Sequence, residues 1–69
     1  MDLRKVVGQN VRAFREDKGL SQEQLAFEAG LHRTYVSGVE RGVRNPTILI
    51  IERLAKALRV EPHEFLERN

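Results

Sequence analysis

Residues 33 to 41 read RTYVSGVER, and their hydrogen-bonding side chains fall at a spacing that a helix turns into one face. Arg33, Thr34, Ser37 and Arg41 stand at i, i+1, i+4 and i+8, with Gly38 beside them at i+5. The face carries two permanent cations and two hydroxyls and no acidic group. This is equipment for recognition, since Ser37 has no base or third group near it in sequence to make it a nucleophile. A helix of this size fits the major groove of B-DNA, where side chains can distinguish all four base pairs. Arg33 could take O6 and N7 of guanine together, for about 1–3 kcal/mol of discrimination. Thr34 could offer its methyl to thymine or its hydroxyl to a base or phosphate. Ser37 can donate or accept, while Gly38 supplies only room for close approach.

Around this face stand candidates for gripping the DNA backbone. Gln22, with the free N–H groups that begin its own helix, can bind a phosphate. Arg41, Arg44 and Asn45 can hold phosphates beyond the far end of the reading helix. Tyr35 could send its hydroxyl to a phosphate or simply pack.

Something must hold such a helix outward, and the preceding residues predict how. In LSQEQLAFEAGLH, Ser21 and Gln24 form a capping box, and Glu23 suits the positive end of the helix dipole. A helix over about 22–29 buries Leu25, Ala26 and Ala29 before Gly30 stops it. The next runs over about 33–41, with Val36 and Val39 inward, and Gly42 closes it. Two short helices joined at a glycine corner make a helix-turn-helix. At about eight residues each they are too short to stand alone. Support is expected from a first helix, capped by Asp2 and running to about Lys18, with Leu3, Val7, Val11 and Phe14 inward. Gly8 inside it lowers helix propensity by about 1 kcal/mol relative to alanine. Thr47 caps a fourth helix over about 48–58 with Ile48, Ile51, Leu54, Ala55 and Leu58 inward. Pro62 starts a last short helix with Phe65 and Leu66 inward. The expectation is an all-α, five-helix arrangement forming a single DNA-binding domain over residues 1–69. Phe27 stands at an outward position among polar neighbours.

Composition sets the outer bounds. With 69 residues, a net charge of +2 and no cysteine, disulfides and thiolate metal sites are excluded. His32 and His63 have no carboxylate cluster at ligand spacing, so no metal is expected. The apolar runs are too short for a signal peptide or a membrane span, which points to a soluble, cytoplasmic protein. No phosphate loop or acid–base cluster suggests an enzyme. No cofactor and no small-molecule ligand is expected.

The run ILII at residues 48–51 poses a separate problem. If Ile48 and Ile51 face the core, Leu49 and Ile50 point about 100° away on a helix. Adjacent exposed aliphatics imply a contact surface. A two-fold pair would set two reading helices about 34 Å apart, one turn of DNA, so a homodimer centred on Leu49 and Ile50 is expected.

The words GLSQEQLAFEAGLHRTYVSGVERGVRNPT and LAKALRV resemble the lambda-repressor/Cro (XRE) helix-turn-helix family. The resemblance runs from about Val7 to Phe65. AGLHRTYVSGVERGVRNP and the small size of the chain also resemble the restriction–modification controller proteins. This likeness implies a stand-alone dimeric regulator, with DNA-contact positions at Gln22, Arg33, Thr34, Ser37 and Arg41. It also implies an ion pair, Arg15 with Glu40, tying the first helix to the third. Two positions depart from the family pattern. His32 stands where Ser, Thr or Asp is the common cap, and Gly38 leaves a frequent base-contact position blank. The function implied is a transcriptional regulator binding double-stranded DNA as a homodimer on a roughly palindromic operator. An antitoxin-like module that holds a partner protein and also binds DNA is the alternative.

Overall fold

The computed structural model describes residues 1–68, and every regular element in them is helical. Helix α1 spans Leu3–Asp17, α2 Gln22–Ala29, α3 Arg33–Glu40 and α4 Ile48–Leu58; a final 3-10 helix, η1, spans Pro62–Leu66. The capping chemistry predicts these bounds closely. Asp2 Oδ1 accepts the Arg4 N–H over 3.0 Å, and the Arg4 guanidinium bonded to its carboxylate lowers the Asp2 pKa to about 2. Both arms of the Ser21–Gln24 box are present, at 2.7 and 3.0 Å, and Thr47 Oγ1 accepts from Ile50 N. The last element is a 3-10 turn rather than an α-helix, being only five residues long.

One core joins all five elements. Val7 and Val11 from α1, Leu25, Ala26 and Ala29 from α2, Val36 and Val39 from α3, Leu54, Ala55 and Leu58 from α4, and Phe65 from η1 are buried. Phe14 lies against Phe65, with ring centroids 6.0 Å apart at a tilted angle that suits aromatic quadrupoles. Asn10 is the one polar residue buried among the described residues. Its Nδ2 donates to the carbonyls of Phe65 at 2.8 Å and Glu67 at 2.7 Å, which fastens η1 to α1.

Gly8 reverses its expected effect. A Cβ there would collide with the carbonyl oxygens of Val39 and Glu40 at the end of α3. The bare position is what lets α1 and α3 touch backbone to backbone, so the helix-propensity deficit is outweighed by packing.

Three residues expected inward are not. Leu3 is 52% exposed, Ile48 88% and Leu66 53%. They sit in the first or last turn of their elements, where the apolar stripe continues past the edge of the core. All three line one open apolar groove, together with Pro46, Ile51 and Pro62. The neighbouring pair also divides differently from expectation: Leu49 is 66% exposed, but Ile50 is half-buried and packed against the core.

Candidate nucleic-acid interface

The corner between α2 and α3 is closed by backbone alone. Gly30 ends α2 at φ +69°, a left-handed conformation that costs glycine little. Leu31 N then donates back to Ala26 O over 2.8 Å, the long-range closure of a Schellman-type end. Leu31 packs on the core, and α3 departs in a new direction. Its N-cap is His32, whose Nδ1 accepts the backbone N–H of Thr34 at 3.3 Å.

With Val36 and Val39 buried, the opposite face of α3 points outward. Arg33, Thr34 and Arg41 are exposed and Ser37 is half-buried; none is enclosed by the rest of the chain. Arg44 and Asn45 are exposed in the loop after α3. Gly38, expected to face outward, is buried, and the reason is Arg44. The Arg44 side chain runs over Gly38 so closely that a Cβ added there would stand 2.6 Å from Arg44 Cγ. Its guanidinium carbon ends 5.7 Å from the centre of the half-buried Tyr35 ring, within cation–π range. Arg44 is therefore laid along α3 itself, and Tyr35 is its platform. Sequence spacing does not reveal this arrangement, because the side chain crosses from a loop onto a helix.

Beneath the corner lies a charged network. Arg15 Nε is 2.6 Å and Nη2 3.0 Å from the two carboxylate oxygens of Glu40, a two-pronged pair. Arg15 also donates to Leu20 O at 2.8 Å, and its hydrogen bonds with Glu40 raise the guanidinium pKa further. The side chains of the pair are only 12% and 3% exposed, so this is an inward bridge holding α1, the α1–α2 turn and α3 in register. Gln22 Nε2 donates to Glu40 Oε1 at 3.0 Å. The Gln22 amide, a candidate phosphate contact, thus spends one of its two N–H donors on this network, and its orientation is fixed by it.

The helix-turn-helix family profile matches residues 11–65. The control protein C.BamHI of Bacillus amyloliquefaciens is 49% identical over 67 residues, covering 96% of this chain and 83% of that protein. The chain belongs to the helix-turn-helix family. Its members are DNA-binding regulators of transcription and not enzymes. The crystal structure of the restriction–modification controller protein C.AhdI from Aeromonas hydrophila superposes with a TM-score of 0.87 at 53% identity, covering 90% of this chain and 94% of that one. The regulator SinR in complex with DNA gives a TM-score of 0.84 at 35% identity, over 88% of this chain and 98% of that one. No helix among the described residues is long and apolar enough to cross a membrane, and no group of His, Cys, Asp or Glu among them could hold a metal ion.

Proposed function

We propose that this chain is a sequence-specific transcriptional regulator that binds a roughly palindromic operator as a homodimer in the cytoplasm, with restriction–modification genes as its targets. The observation that carries this is the outward face of α3, where Arg33, Thr34, Ser37 and Arg41 stand clear of the core beside the Arg44 side chain. Arg33 and Thr34 lie in its first turn, the part of a recognition helix that meets base edges. Arg41, Arg44 and Asn45 flank it as phosphate contacts, with Gln22 and Tyr35 at the margin. The likeness to C.AhdI, a restriction–modification controller protein, and to the control protein C.BamHI supports the choice of target genes. The exposed aliphatics of α4, Leu49 foremost, and the groove beside them offer the surface for pairing two copies.

Selection of bound fragments from random duplex DNA tests this directly. The expected product is a motif of two inverted half-sites about one helical turn apart. Arg33→Ala then relaxes base preference at one position of each half-site, whereas Arg41→Ala weakens all sequences nearly equally and lowers the salt slope. No enriched motif, or a motif indifferent to Arg33, refutes the assignment of the surface.

A further inference from the structure

The cap of α3 constrains its neighbour. His32 Nδ1 lies 3.3 Å from Thr34 N and 2.5 Å from Thr34 Oγ1. A backbone N–H only donates, so Nδ1 carries a lone pair and the ring proton sits on Nε2. The Thr34 hydroxyl must then be the donor in the second contact. Its single proton is directed at the histidine, and what Thr34 keeps for its surroundings is oxygen lone pairs and a methyl.

We propose that His32 is a positioning residue for base recognition. In its neutral form it holds Thr34 as an acceptor-and-methyl reader, and on protonation it turns the same hydroxyl into a donor. This rests on the assignment of Thr34 to a base edge made above. With His32 neutral, Thr34 can accept from the amino group of adenine or cytosine and can pack its methyl on thymine. It has no proton for guanine O6 and N7 or for thymine O4. Once Nδ1 is protonated the contact reverses: the imidazolium N–H donates to Oγ1, and the hydroxyl proton becomes free for an acceptor in the groove. The Thr34 backbone N–H loses its partner in the same step. The titratable or charged groups lining the hollow around His32 are Glu23 from α2 and Arg33 from α3. Both side chains are exposed.

The test is selection from random duplex DNA by the intact chain at about pH 8 and about pH 5, on either side of the usual histidine range. It is run with the unaltered chain and with Thr34→Val, His32→Asp and His32→Asn, each first shown to melt cooperatively. Asp and Asn are preferred N-caps and keep the helix start. For the unaltered chain, one position per half-site shifts by about three- to tenfold as pH falls, from a base that turns an amino group to Thr34 (adenine or cytosine) to one that turns a carbonyl oxygen to it (guanine or thymine), the effect of one hydrogen bond. His32→Asp keeps the high-pH preference at both values, because its carboxylate always accepts, and His32→Asn is likewise indifferent to pH. Thr34→Val removes the shift. A position that depends on Thr34 but ignores pH, or a shift that survives His32→Asp, overturns the role of His32 alone. A motif unchanged by Thr34→Val at every position overturns the assignment of Thr34 as a reader, and the inference with it.

Discussion

Arg44 lies across the bare backbone of Gly38, so α3 carries at that position a side chain supplied from the following loop. An alanine at Gly38 meets only the flexible methylene stem of Arg44, which can move aside. Gly38→Ala is therefore expected to fold with stability changed by less than about 1 kcal/mol. It should nevertheless weaken operator binding to the same degree as Arg44→Ala. The check is a double-variant cycle on operator affinity, in which the two losses do not add. Full additivity would show that the placement of Arg44 over Gly38 has no part in binding.

Gly8→Ala tests the opposite situation. Helix propensity alone predicts a gain of about 1 kcal/mol. Here the new methyl meets two backbone carbonyls of α3, which cannot rotate away. A net loss of about 2–3 kcal/mol is expected, with α3 pushed from α1. Denaturant unfolding of the two proteins measures it, and a stabilised variant would contradict the backbone-to-backbone contact.

Glu40 sits under the corner with its side chain almost wholly covered, accepting from Arg15 and Gln22. Glu40→Ala leaves the Arg15 charge in a partly buried place without its partner. A loss of about 3 kcal/mol is expected, against near zero for an exposed pair such as Arg12 with Glu16. Chemical denaturation of Glu40→Ala and Glu16→Ala side by side makes the comparison.

Pairing of two copies is best challenged at Ile48 and Leu49. Both are largely exposed, so aspartates there leave the core untouched, whereas Ile50 packs partly inward and its replacement would unfold as well as separate. The Ile48→Asp/Leu49→Asp protein is expected to keep its helical content and halve its mass in light scattering. A dimer of undiminished strength would move the interface elsewhere.

What the sequence discloses is what local physics decides. Ser21, Gln24, Thr47, Pro62 and the glycine after α2 each act within a few residues, so element bounds follow from them. The periodic placement of Val7, Val11, Leu25, Val36, Leu54 and Leu58 likewise finds the buried faces. Periodicity names a face but not the length over which a neighbour covers it, so Leu3, Ile48 and Leu66 share the apolar stripes while the core stops short of them. Contacts between distant backbone and side chain leave still less trace. Nothing in the local pattern shows that Asn10 reaches the carbonyls of residues 65 and 67, or that Arg44 folds over Gly38.

The hold of Asn10 on two main-chain carbonyls has an evolutionary corollary. A grip on carbonyl oxygens is blind to which amino acid carries them, so the exposed Glu67 can drift among homologues while the closing turn keeps its mooring. Selection on that mooring falls instead on a single amide in α1, where even an aspartate, with no proton to give, would set the closing turn adrift.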